Sequence, residues 1–500
     1  MADICRIHRN RIRYGNEQTP AARDLYNGKM IKLTHRKITA LGSKQQRLWV
    51  DSAMACKAAL MVAAAILLPA CGEMTRLPSG ADYGPQPTLP APAASWLPTV
   101  NIAKAVGWPQ GGMPIAAPGL QVAAFASGLN HPRWLLVLPN GDVLVAESNA
   151  PAKPDDAQGI KGFFMGLFMK AAGAGVPSAN RITLLRDATQ TGVATERHVF
   201  LEQLNSPFGM ALIGNALFVA NTDAIWRFDY VPGATTLMAT PGTKIIDLPA
   251  GTINHHWTKG LIASADGSKL YVAVGSNSNV GERGAQAEEG RAAIWEVDIA
   301  TRAHRVFASG LRNPVGMAWE PRSRALWTVV NERDELGSDL VPDYMTAVQD
   351  NAFYGWPYSY YGQNVDTRVQ PPRPDLVARA RAPDYALGAH TAPLGLTSAA
   401  TARLPKPYQG GMFIGQHGSW NRKPHSGYKV IFVPFENGIP RGLPIDVLSG
   451  FLNADGQAMG RPVGVAIDSQ GALLVADDVG NTIWRVRDAN PITYPNQERP

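Results

Sequence analysis

The chain has 500 residues, 45% hydrophobic and 17% charged, enough to bury a substantial core as one large domain or two smaller ones. Its formal net charge is +7, but residues 1–53 alone carry 11 Lys/Arg against 4 Asp/Glu, and beyond Cys71 35 basic residues face 36 acidic ones. The basicity therefore belongs to a leader and gives no reason to expect a nucleic acid partner.

Residues 1–53 are expected to be an upstream extension or a disordered arm, because Met54 is a natural translation start. Residues 54–71 have the layout of a lipoprotein signal peptide: Lys57, the apolar run Ala58 to Leu68, then Leu68-Pro69-Ala70-Cys71-Gly72. The apolar core is too short to span a bilayer, which takes about 20 residues. Leu-Pro-Ala-Cys resembles a bacterial lipobox, which implies cleavage before Cys71, acylation of its thiol, and an exported, periplasm-facing chain held to the membrane by lipid only. Cys5, Cys56 and Cys71 are the only cysteines, so a chain cleaved there has no disulfide and no thiolate metal site. Residues 72–118 are rich in Pro, Ala and Gly and are expected to be an extended, unpacked tether.

From 119 to 488 one pattern recurs six times. Trp134, Gly209, Gly260, Gly316, Gly395 and Gly464 each open an apolar run that turns and returns as a second one, such as Leu144-Val145, Leu270-Tyr271-Val272, Leu326-Trp327 or Leu474-Val475. Turns such as Pro139-Asn140-Gly141-Asp142 separate the runs. A strand–turn–strand unit repeated in this way, with few long amphipathic helices, predicts an all-β fold, a six-bladed β-propeller with inserted loops near 150–185, 335–390 and 397–425. Residues 489–500 are left as a tail. The insertion from Gly159 to Val176, with Phe163, Phe164, Leu167 and Met169, is expected to pack back on its own blade; a short helix covering the cleft or touching a membrane or a partner is the alternative.

Aligned on the anchors, the segments before the strands carry chemistry. Four positions ahead stand Asn130, Asn205, His256 and Arg312; three ahead, His131, Trp257, Asn313 and Arg461; one ahead, Arg133 and Lys259. In a propeller these positions converge on the central channel, where imidazole, guanidinium and amide groups can hold a polyanion and supply a base.

The run Asn254-His255-His256-Trp257-Thr258-Lys259-Gly260, followed by Gly310-Leu311-Arg312-Asn313-Pro314-Val315-Gly316 and Gly415-Gln416-His417-Gly418-Ser419-Trp420-Asn421-Arg422, resembles the soluble glucose/sorbosone dehydrogenases, nearest their L-sorbosone branch. The resemblance implies a propeller that uses pyrroloquinoline quinone (PQQ) and Ca²⁺ to oxidise a small-molecule sugar and passes electrons to a separate acceptor. It implies His256 as general base, with His255 orienting it, and Arg312 and Asn313 on the quinone oxygens. Arg461 matches the first of two arginines on the cofactor carboxylates; the second falls on Val463. Arg422 lies in the region of the family's carboxylate-binding lysine. Main-chain carbonyls of Glu332, Arg333 and Asp334 are implied as calcium ligands, and Trp257, Tyr354 and Trp420 are candidates for stacking on sugar. No Cys-x-x-Cys-His, Gly-x-Gly-x-x-Gly or Gly-x-Ser-x-Gly signal supports haem, dinucleotide or serine-hydrolase chemistry. Two other readings stay open: a propeller lactonase with a metal on Glu147, Asn221 and Asp477, and a non-catalytic binding propeller.

Overall fold

The computed structural model describes residues 73–93, 99–156, 166, 167 and 169–490. The arm 1–53, the signal peptide with Cys71 and the last ten residues lie outside the described residues.

Six four-stranded antiparallel blades form the body, and each anchor lies in or just before the innermost strand of one blade. The first blade runs Pro132–Val137, Val143–Glu147, Arg181–Arg186 and Glu196–Leu201 from the axis outward. The second strand of this blade is buried on both faces, as a sheet packed between two others requires. The sixth blade closes the ring with both ends of the domain: Pro462–Ile467, Leu473–Asp477 and Thr482–Asp488 are joined by Leu120–Ser127 as the outermost strand.

The anchor glycines are explained by the approach of neighbouring blades. A Cβ on Gly260 would stand 2.0 Å from the carbonyl oxygen of Val315, and one on Gly395 would stand 2.3 Å from that of Val463. Gly209, Gly316 and Gly464 meet the backbone of the next blade in the same way, against Leu261, Leu394 and Arg133. The remaining junction is filled instead by the ring of Trp134, which packs 4.7 Å from Phe208.

The expectation of an unpacked tether over 72–118 is corrected for its described residues. Tyr83–Gly84 adds a strand to the outer edge of blade four, and Ile115–Ala116 does the same for blade five. Between them the chain crosses the loops at the channel end of the blades as a strap: Asn101 N bonds to Trp420 O at 2.8 Å, and Val106 N to Ala458 O at 2.8 Å. Trp108 lies edge-on to Phe451 and Trp484 and donates to Asp477 Oδ2 at 2.7 Å. A Pro/Ala-rich segment is extended, with its peptide groups left free, and here those groups pair with loops of the propeller.

Phe163 and Phe164 of the insertion after blade one's second strand lie outside the described residues; residues 171–176 pack on this strap as well as on their own blade. Asn149 donates to the carbonyls of Ala174 and Val176, and Ala105 N bonds to Ala171 O at 2.9 Å. Leu167 and Met169 are left exposed.

Candidate active site

The short loops that lead into the inner strands bring His256 and Asn313 against each other. Gly275 separates them: a Cβ there would be 2.3 Å from Asn313 Oδ1 and 2.5 Å from His256 Cβ. The Ser276 hydroxyl donates to Ser278 O at 2.7 Å, so its proton is spent, and the Ser276 carbonyl can only accept. His256 Nδ1, 2.8 Å from that carbonyl, is therefore the protonated nitrogen, and Nε2 is the bare one. Burial, then the nearby His255 and Arg312, pull the His256 pKa well below 6.5, so the ring is neutral at neutral pH. His255 sits edge-on to it at 4.7 Å and bonds through Nδ1 to Asp156 at 2.9 Å. Asp156 is in turn held by Lys153 and Arg283.

Arg312 is buried and committed on every side. It donates to Glu332 O at 2.6 Å, to Asn279 O and Oδ1 at 3.1 Å each, and to Asp334 Oδ2 at 3.1 Å. Asp334 also accepts from Asn421 at 2.8 Å, with His390 Nδ1 3.5 Å away. Burial raises the Asp334 pKa, but Arg312 and His390 outweigh it and bring it to about 2, so the group is a carboxylate. The Oδ1 atoms of Asn313 and Asn421 are buried without a partner.

A second cluster stands on blades five, six and one. Asp478 binds Arg133 Nη1 and His417 Nε2, the latter at 2.9 Å, and His131 Nε2 lies 3.6 Å away. Burial raises the Asp478 pKa, but His417, His131 and Arg133 overcome this and hold it ionised far below the usual carboxylate range. Burial also lowers His417 to about 4. Arg461 lies 5.0 Å over the Tyr428 ring and donates to the strap at Ala103 O, 3.1 Å away, while its Nε is unpartnered. The Nε of Arg133 is unpartnered too. Buried guanidinium N–H groups and amide oxygens left open in this way are a cost unless a ligand completes them. Their chemistry suits a planar polyanion with carbonyl and carboxylate oxygens.

Several of the residues expected in the site stand elsewhere. Arg422 faces the strap and blade four, between Asp82 at 3.3 Å and Asp339 at 3.5 Å, because two buried carboxylates attract it there, and its Nε, like those of Arg461 and Arg133, is buried without a partner. Val463 is fully buried in the core. The Glu332 and Asp334 carbonyls expected on calcium accept instead from Arg312 and from Arg368 at 3.0 Å, and two guanidinium groups beside them do not fit a divalent cation. Arg333 is wholly buried and ties Glu332 to Asp366. Among the described residues no group of three or more His, Cys, Asp and Glu is placed to hold a metal. Tyr354 is a core residue bonded to Ala347 O, and Trp257 is buried under Arg133, which leaves Trp420 as the half-exposed ring beside Asn421. Glu147 and Asp477 do not form a lactonase centre with Asn221. Glu147 is spent on Arg181 and Thr183, and Asp477 on Trp108, Trp484 and the Arg461 backbone. His390, Asn279 and Asp478 carry no signal in the sequence, whereas His131 and Arg133 stand among the positions expected on the channel and His417 and Asn421 lie in the Gly415–Arg422 run.

The fold and this ring of groups define a six-bladed propeller with buried guanidinium and amide groups near a neutral histidine at the channel end of its blades. The family described as TrAA12-like matches residues 169–352 and 375–489, more than half of the chain, and the chain belongs to it and so to the PQQ-dependent sugar dehydrogenases. The PQQ-dependent pyranose dehydrogenase of Coprinopsis cinerea is 24% identical over 447 residues, covering 76% of this chain and 55% of that protein. An uncharacterised protein of Borreliella burgdorferi is 28% identical over 298 residues, 58% of this chain and 77% of that one. The chain thus spans about half the length of the Coprinopsis relative. Among solved structures, the holo PQQ domain of that pyranose dehydrogenase superposes with a TM-score of 0.59 at 22% identity, covering 75% of this chain and 97% of the domain. The calcium structure of the Trichoderma reesei family AA12 enzyme gives 0.61 at 18%, covering 78% and 99%. These likenesses bear on the fold.

Proposed function

We propose that this protein is an oxidoreductase that binds PQQ in the channel and oxidises an aldose or sugar aldehyde of the sorbosone kind. The observation that carries the reading is the bare Nε2 of a neutral His256 beside the open Oδ1 of Asn313, with the unfilled guanidinium N–H groups of Arg461 and Arg133 across the channel. When bound, PQQ supplies the two-electron acceptor for a hydride. His256 Nε2 takes the proton of the hydroxyl on the reacting carbon, the anomeric hydroxyl of an aldose or one hydroxyl of the water-hydrated aldehyde, as the carbon–hydrogen bond breaks. Arg312, fixed by Asn279, Glu332 and Asp334, places a positive charge where negative charge gathers on the quinone oxygens. Arg461 and Arg133 would hold carboxylates, and Trp420 offers an apolar face to the sugar. Two of the three carbonyls implied for calcium, those of Glu332 and Asp334, already accept from Arg312 and Arg368, so no step runs through that ion.

Export, cleavage before Cys71 and a lipid anchor belong to the same proposal and rest on the sequence of residues 54–72, while a separate electron acceptor rests on the family resemblance. The test is reconstitution of the purified chain with PQQ, followed by dye reduction over a panel of sugars. His256→Ala should keep PQQ binding, read by absorbance, and lose about 10²–10⁴-fold in kcat/KM. Absence of quinone binding by the wild-type chain would sink the reading.

A further inference from the structure

We propose that the channel mouth of the mature protein is held against the surface of a phospholipid bilayer. The proposal rests on the reading of Leu68–Cys71 as a lipidation signal and is independent of the dehydrogenase reading.

Two peptide units separate Cys71 from Glu73, so their Cα atoms can be at most about 7 Å apart. Glu73, the first described residue of the strap, is held on the channel face. Its carbonyl accepts from Ser338 Oγ, its N–H donates to Thr99 Oγ1 at 3.1 Å, and its carboxylate lies 2.7 Å from the space a Cβ on Gly337 would fill. The Gly337 carbonyl is the partner of His390, which stands beside Asp334 in the site. Thr75 N bonds to Lys423 O at 2.8 Å and Arg76 N to Asp339 Oδ2 at 2.7 Å, so the next residues follow the same rim. An acyl chain on Cys71 therefore has no free leash with which to turn the propeller over. Whatever surface holds the lipid meets this rim.

The rim carries what a bilayer surface would take. Met74 is 64% exposed, Val106 46%, Leu167 49% and Met169 45%. The strap and the insertion that present them are joined by the Ala105–Ala171 hydrogen bond. Exposed Arg76, Lys104 and Lys170 stand among these apolar residues, as cations suited to anionic headgroups. One acyl chain alone binds a membrane marginally, and an apolar, basic rim supplies the second signal.

The test uses the full acylated chain on vesicles of phosphatidylethanolamine and phosphatidylglycerol doped with nitroxide lipid. A fluorophore is placed on Leu167→Cys or Met74→Cys at the rim, or on Ala265→Cys in the turn at the opposite end of blade three. Quenching several-fold greater at either rim position than at residue 265 is expected. Equal quenching at both ends, or stronger quenching at residue 265, overturns the orientation. A chain whose amino-terminal peptide carries no acyl mass overturns the proposal through its anchor. Dye reduction with sugar on the same sample fails only if the dehydrogenase reading fails.

Discussion

His256 makes a pH-dependent claim. Its pKa in the folded protein lies below 6.5, because burial, His255 and Arg312 all disfavour the imidazolium. The neutral base therefore persists as pH falls through 6.5, and the acidic limb of kcat/KM should lie well below that value. His255→Gln removes one of the lowering charges and should move the limb upward; a wild-type limb at 6.5 would contradict the assignment. Asp334 is the second informative residue, since it joins Arg312, Asn421 and His390. Asp334→Ala leaves a buried guanidinium without its counter-charge and should destabilise the fold by about 3–5 kcal/mol, seen as a lower midpoint in denaturant. His256, Arg312 and Asn313 were legible because each stands at a fixed offset from a repeat anchor. Arg422 was not, since its partners Asp82 and Asp339 are distant in sequence and one of them lies in a segment whose composition suggested no fold at all.

At the scale of elements, the strap is the part that sequence did not show. Many of its contacts are main chain to main chain, as between Thr75 and Lys423 or Asn101 and Trp420, and such bonds leave no periodicity in the residues that make them. Trp108 is one of its side-chain contacts, a large ring locked between Phe451 and Trp484. Trp108→Ala should cost about 3–5 kcal/mol and lower Tm, because both the packing and the bond to Asp477 are lost. An unchanged Tm would mean that the strap is not part of the cooperative fold. The strands were legible for the opposite reason, since their apolar runs recur in a fixed relation to small residues. The glycine anchors fit the requirement that adjacent blades touch through their backbones: Gly260→Ala would force a methyl group to within 2.0 Å of the Val315 carbonyl. The blades would have to move apart, at a cost of at least about 1–3 kcal/mol.

At the scale of the molecule, the ring closes through hydrogen bonds between Leu120–Ser127 and Thr482–Asp488. Removal of 120–127 would expose the edge of Thr482–Asp488 and uncover Val486 and Trp484. Such a chain should lose the single sharp thermal transition of the intact protein, which calorimetry would show. The closure also has a consequence for biosynthesis. A chain made from its amino end presents the outermost strand of blade six before any of that blade's other strands exist, and more than 330 residues must follow before its partners emerge. The ring cannot form on the ribosome while residues 462–488 are still inside it. It closes only once that stretch has emerged, and until then the first strand of the propeller waits without its partner.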